Sequence, residues 1–184
     1  MKKLFTSRRL AVAAAGGLLV ALSLSGVAQA VTDKIFQYTT AKTGYFAIHP
    51  MAMVPDGAES ASTYHVGWNG AGLHTTGGGC FSTSVNLPNG TTMTGLAIWY
   101  SSGTGGNPQM VILRYKLADG TSDFVADKVF ADDSATRNEG IAPINATFAV
   151  VDNAHYAYGF GTCLNANDSF YGARIAYTYT NAGD

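Results

Sequence analysis

Histidines, carboxylates, serines and aromatic rings are the side chains of this 184-residue sequence that could carry chemistry, and their spacing limits what that chemistry can be. The four histidines are His49, His65, His74 and His155. None forms the i, i+4 pair of a metal-binding helix. His65 and His74 are separated by a glycine-rich stretch with no third ligand near them in the sequence, so no metal site is expected. No Gly-x-Ser-x-Gly elbow is present, and Ser101-Ser102-Gly103 reads as a connection. Glycoside hydrolysis needs a pair of carboxyl groups, one of them buried with a raised pKa. The only glutamates, Glu59 and Glu139, both fall in polar, loop-like surroundings. Asp132 and Asp133 with Asn138 and Glu139 gather oxygen ligands, but without the spacing or glycine of a calcium loop. Asn165, Asn167 and Asp168 form a second oxygen-rich stretch that reads equally as a polar turn. No catalytic residue, metal or cofactor follows, and the chain is not expected to be an enzyme.

Aromatic side chains are the more suggestive set. Tyr156, Tyr158, Phe160, Phe170, Tyr171, Tyr177 and Tyr179 crowd the last thirty residues, and Trp68 and Trp99 stand apart. Rings on an exposed sheet face stack on sugars or on a partner protein, whereas rings turned inward pack a sandwich and send their polar tips to its edge. Trp68, Trp99, Tyr156 and Tyr158 are the candidate ligand contacts.

The compartment is set by the N-terminus. Lys2, Lys3, Arg8 and Arg9 precede an apolar and small-residue run from Ala11 to Val27, which ends in Ala28-Gln29-Ala30. These are the three parts of a cleavable signal peptide, so cleavage is expected after Ala30, with residues 1–30 the signal and 31–184 one mature domain. The run is too short and too rich in Ala, Gly and Ser for a spanning helix, so the mature chain is not expected to enter a membrane. Arg8-Arg9 lacks the following apolar aromatic of a twin-arginine signal, which favours the Sec route and a secreted, extracellular product. The mature chain keeps seven basic residues against twelve acidic ones, a net charge of −5. With no basic cluster it has no means of holding a phosphate backbone, and nucleic acid is excluded as a partner. Outside the cell Cys80 and Cys163 are expected to pair. Such a long closed loop would remove on the order of 4 to 5 kcal/mol from the unfolded state's advantage.

The elements that must position these groups read as strands. Thr92 to Tyr100 alternates, with Thr94, Leu96, Ile98 and Tyr100 on one face and Met93, Ala97 and Trp99 on the other. Phe170 to Thr180 alternates likewise, with Tyr171, Ala173, Ile175, Tyr177 and Tyr179 expected inward and Arg174 outward. Further strands are expected over Ile35–Ala47, Ser62–Trp68, Met110–Leu117, Asp123–Phe130, Ala146–Val151 and His155–Cys163. Met51–Ala61 and Asn69–Gly79 read as loops. Asp119-Gly120 is the sharpest hairpin signal, and Leu87-Pro88-Asn89-Gly90 marks another turn. Many short strands without helices between them imply an all-β, antiparallel, jelly-roll-like β-sandwich.

Leu87-Pro88-Asn89-Gly90, Val151-Asp152-Asn153 and the closing Tyr171-Gly172-Ala173-Arg174-Ile175-Ala176-Tyr177-Thr178-Tyr179 together resemble a group of uncharacterised bacterial secreted β-sandwich proteins. The resemblance covers the C-terminal hundred residues. It implies a compact β-sandwich in which an LPNG-type turn opens one strand, a VDN turn opens another and a YGARIxYTY strand closes the fold. It implies no activity and brings no functional residues with it.

Three functions remain, in order. The first is a non-catalytic extracellular binding or surface module, with carbohydrate as one ligand class. The second is a self-assembling subunit, a homo-oligomer in which Val31–Tyr45 adds as a strand to a neighbouring copy. An extracellular hydrolase is third.

Overall fold

The computed structural model describes residues 37–57, 64–67, 72–103, 107–131 and 138–181. The expected signal peptide and its cleavage site, Glu59, Trp68 and the Asp132-Asp133 pair lie outside them. The chain divides into a compact unit, Thr40–Thr180 with Asp184, and a second, Met1–Thr39 with Asn181–Gly183, of which only the outer ends of the first and last strands are described.

The strands are β1 (Gln37–Ile48), β2 (Val54–Pro55), β3 (Tyr64–Gly67), β4 (Gly72–Thr75), β5 (Gly79–Ser84) and β6 (Thr92–Ser101). They continue with β7 (Gln109–Lys116), β8 (Ser122–Val129), β9 (Asn138–Ala142), β10 (Tyr156–Leu164) and β11 (Ser169–Asn181). They form an antiparallel β-sandwich, as the alternation implies. The larger sheet runs β3-β4-β11-β6-β9, with β1 also on β11, and the smaller runs β2-β5-β10-β7-β8. Strand β1 is therefore paired with β11 of its own chain.

Inward-facing residues of both sheets make one core. Phe81, Met110, Ile112 and Phe160 of the smaller sheet and Leu73, Leu96, Ile98, Phe170 and Ile175 of the larger are at most 1% exposed. Phe160 and Phe170 stack across the layers with ring centroids 5.5 Å apart. Burying such side chains stabilises by about 1.5 to 3 kcal/mol each.

Among the described residues three β-bulges decide which side chains reach that core, and strict alternation cannot anticipate them. In β11, Phe170 pairs with Tyr100 and Gly172 with Trp99, leaving Tyr171 as the extra residue. The parity changes there, so Phe170 turns inward while Ala173 and Ile175 are buried and Arg174 is exposed, as expected of that register. Tyr171 sits half-buried, its hydroxyl 3.1 Å from Ser101 Oγ. In β6 the slip falls at Thr94, since Gly95 pairs with Ala176 and Met93 with Tyr177. Thr94, expected on the same face as Leu96, Ile98 and Tyr100, is exposed, and Met93 is buried with them at 2% exposure. The third bulge, in β8, shapes the site below.

The sequence reading differs from the structure in short elements. Met51–Ala61, read as a loop, begins within a 3-10 turn at Pro50–Ala52 and holds β2. Asn69–Gly79 contains β4. Ala146–Val151, read as a strand, is a 3-10 turn at Ala146–Phe148 with a single bridge from Val150 to Thr92. Asn145 caps that turn, its side-chain oxygen accepting from the Thr147 N–H at 3.1 Å, which favours the turn over an extended start. The Asp119-Gly120 hairpin forms between β7 and β8, with Gly120 at φ 71°.

The LPNG and VDN turns, far apart in sequence, are bound to each other. Asn153 donates its backbone N–H to Asn89 Oδ1 at 2.9 Å and its side-chain Nδ2 to the Leu87 carbonyl at 3.0 Å. Gly90 N–H donates to the Val151 carbonyl at 2.8 Å. These bonds fix the entrances of β6 and β10, one strand from each sheet.

Candidate functional site

Strand β10 builds the floor of the site. Its sequence Tyr156-Ala157-Tyr158-Gly159-Phe160-Gly161-Thr162-Cys163 sends Tyr158, Phe160 and Thr162 into the core. Ala157, Gly159, Gly161 and Cys163 therefore face outward. Neither glycine has a left-handed backbone among the positive-φ residues, so both are there for space. A Cβ on Gly161 would sit 3.1 Å from a Val111 methyl, and one on Gly159 would sit 3.5 Å from the Tyr115 ring and from the Thr83 carbonyl oxygen. The missing side chains leave a groove of about 680 Å³ on the outer face of the smaller sheet, within the size range of small-molecule sites.

Strands β7 and β8 form one wall. The outward set of β7 is Val111, Leu113 and Tyr115, opposite the buried Met110 and Ile112. In β8, Ala126 pairs with Ile112 and Phe124 with Leu113, so Val125 is the bulged residue. Val125 and Ala126 are both buried as a result, and Phe124 is turned out beside Leu113 at 51% exposure. Without the bulge, Phe124 would share the inward face of Ala126. Tyr115, 40% exposed, completes an aromatic edge. Strand β5 forms the other wall with Ser82 and Ser84, and Val54 of β2 and the following Asp56 close it. Asp56 is the one charged side chain among the described lining residues.

Cys80 and Cys163 are directly opposed in the β5–β10 pairing and joined by a disulfide, with Cα atoms 4.0 Å apart. This is the pairing expected from the sequence. The bond lies on the outward face, so it forms one end of the groove floor.

Of the four aromatic side chains singled out in the sequence, the three that are described are not brought together. Trp68 lies outside the described residues. Trp99 is on the outer face of the opposite sheet, where the Arg174 guanidinium lies 5.5 Å from its ring and 4.9 Å from that of Tyr45. Tyr156 faces inward at the end of the sandwich, and its ring is covered by Arg114 at 4.2 Å. The same guanidinium lies 4.1 Å from the Phe148 ring and pairs with Asp123 at 2.9 Å. Tyr158 is 6% exposed, and its hydroxyl accepts from the Asp152 N–H at 2.8 Å. Burial pushes its phenol pKa up. Tyr156 and Tyr158 therefore present no ring to the groove, because β10 alternates and its outward positions belong to the glycines. The aromatic residues that do face it, Tyr115 and Phe124, carried two signals. The run Val111-Ile112-Leu113 is apolar on both faces of its strand, and the alternation Tyr158-Gly159-Phe160-Gly161 empties one face of the next.

The polar clusters have structural roles. Asp168 is fully buried, and its carboxylate accepts from the Gly103 N–H at 2.6 Å and the Asn165 N–H at 2.7 Å. His49 Nδ1 accepts from the Met51 N–H, and His155 pairs with Asp152 in the exposed VDN turn. Glu139 is exposed, opposite Trp99 in the β6–β9 pairing. Among the described residues, no group of three His, Cys, Asp or Glu side chains converges as a metal site, and no helix is long and apolar enough to cross a membrane.

No protein-family model and no curated protein matches the chain. Among solved structures it is similar to the xylan-binding module CBM15, with a TM-score of 0.50 and 10% identity over 77% of this chain and all of that one. It is also similar to the C-terminal CBM6 of LamC, a marine laminarinase from Zobellia galactanivorans, with a TM-score of 0.41 and 11% identity over 72% of this chain and 98% of that one. At such identities the likeness to the xylan-binding module is one of fold: both chains are β-sandwiches.

Proposed function

We propose that this chain is a secreted, non-catalytic carbohydrate-binding module, and that it takes an uncharged polysaccharide in the groove of the smaller sheet. The observation that carries this reading is the groove itself. It has a glycine floor, an exposed aromatic edge of Tyr115 and Phe124, and serine hydroxyls opposite. Pyranose rings have an apolar face of C–H groups that stacks on aromatic rings and a rim of hydroxyls that exchanges hydrogen bonds with Ser82 and Ser84. A lining with one carboxylate and no basic group favours a neutral chain over an acidic one. The single carboxylate also sets the groove apart from a glycosidase site, which uses two. The sandwich shared with a xylan-binding module supports the reading at the level of fold. The disulfide suits an oxidising compartment outside the cell.

Affinity electrophoresis in gels containing xylan, mixed-linkage β-glucan or galactomannan tests the proposal. The protein should be retarded by at least one of these polymers. Gly161→Val fills the floor and should restore free migration, with circular dichroism confirming that the variant keeps the fold. Equal retardation of the filled variant would place binding elsewhere, and release of reducing ends from the polymer would make the chain a hydrolase.

A further inference from the structure

Two histidines separated in sequence by a glycine-rich stretch meet at one end of the larger sheet. In the β3–β4 pairing His65 stands directly opposite His74. Their ring centroids are 5.1 Å apart, with the planes at 53°. On its other side His74 is opposite Ser169 of β11, and its Nδ1 lies 2.9 Å from the Ser169 hydroxyl oxygen. Ser169 is 7% exposed, whereas His65 is exposed and His74 half-buried.

We propose that His65 and His74 form a two-imidazole site for a borderline divalent transition cation such as Zn²⁺ or Cu²⁺, with water filling its remaining positions. Geometry is the first argument. Metal–nitrogen bonds of about 2.1 Å at a near-tetrahedral angle place the centroids of two bound imidazoles about 5 Å apart. The β3–β4 pairing holds the rings at that separation before any ion arrives. The second argument is the hydrogen bond to Ser169. A ligating imidazole uses one nitrogen for the metal and gives its other N–H to an acceptor that fixes tautomer and orientation. Ser169 occupies that place at Nδ1, which leaves Nε2 of His74 for the ion. The donor set decides the ion class, since neutral imidazole suits zinc, copper and nickel, while magnesium and calcium require oxygen.

Among the described residues two protein ligands are present, so the ion would keep exchangeable positions open to a further donor. It would also clamp an edge. Strand β4 joins β11 through two residue pairs, Ser169 with His74 and Phe170 with Leu73, and among the described strands β3 pairs only with β4. A cation bound across β3 and β4 stabilises the folded chain by mass action.

Calorimetric titration of the mature chain with Zn²⁺ and with Cu²⁺, in a non-coordinating buffer, tests the proposal. One ion per chain should bind, copper more tightly than zinc in keeping with the Irving–Williams order, and Mg²⁺ should not compete. His65→Gln and His74→Gln should each weaken binding by at least about tenfold, because either change reduces a chelate to a single ligand. Undiminished affinity in either variant would overturn the proposal by assigning the ion to His49 or His155. So would the absence of zinc binding up to millimolar concentration. A second readout needs no variant: the imidazole nitrogen resonances of His65 and His74 should shift together on adding Zn²⁺ while those of His49 and His155 stay. Movement of only one of the pair would equally refute the chelate.

Discussion

Asp168 offers a stringent test of how the turn before β11 is held. Its side chain is wholly buried, and its two carboxylate oxygens accept from separate backbone segments, Gly103 N–H at 2.6 Å and Asn165 N–H at 2.7 Å. The Asn165 side-chain amide adds a longer contact at 3.3 Å. Hydrogen bonds to a charged partner contribute roughly 1.5 to 3 kcal/mol each, and a buried donor left without a partner loses its full desolvation energy. Asp168→Ala removes both acceptors at once and should destabilise the fold by about 3 to 5 kcal/mol, allowing for incomplete additivity. Asp168→Asn keeps the shape and one acceptor but turns an NH₂ toward a backbone N–H, so about half that loss is expected. Urea unfolding with the disulfide intact measures both, and an unchanged m-value confirms that the midpoint reports stability. If both variants unfold within about 0.5 kcal/mol of the parent, as ordinary surface substitutions do, the carboxylate is not the staple described here.

Other consequences can be checked in parallel. Asn153→Ala cuts the side-chain bond to Leu87 and should destabilise by about 1 kcal/mol in the same urea assay, whereas Asn153→Asp, which lacks the donor, should not recover it. Replacing Cys80 and Cys163 together by Ser frees a loop of 83 residues, with a loss of up to about 4 to 5 kcal/mol read as a lower melting temperature. In the β7–β8 turn, bonds from Thr121 and Lys116 lower the Asp119 pKa to about 2 from 3.8. The folded value is the depressed one, so its contribution to stability is present above about pH 4 and is lost as pH falls toward 2. A carboxyl-carbon NMR titration should place the midpoint near 2, and a midpoint near 4 would contradict that network.

Period-two alternation made the sandwich legible, because strands such as β6, β10 and β11 are long and each buries a full face. The disulfide was legible because the export signal expected from the sequence would imply an oxidising compartment. Residues whose facing depends on a bulge were not. Phe170, Met93 and Phe124 each lie beside one extra residue in a strand, and that insertion is a property of the pairing rather than of the local sequence. Short strands such as β2 and β4 were missed since two to four residues carry no period. Of the four expected ligand aromatics, Tyr156 and Tyr158 belong to the densest cluster in the sequence, where alternation turns both rings inward. The groove was instead marked by what β10 lacks: the empty side chains of Gly159 and Gly161 between buried aromatics.

The proposed function turns on whether the exposed rings of the groove grip a sugar chain. The direct measurement is retention of the mature protein on an array of neutral and acidic polysaccharides, beside a Tyr115→Ala/Phe124→Ala variant of unchanged melting temperature. The parent should be retained on neutral polymers and not on acidic ones. Loss of each ring should weaken binding by about tenfold, so the double variant should fall to background. Retention on no glycan at all, or equal retention of the parent and the double variant, would contradict the assignment of this groove as the binding site.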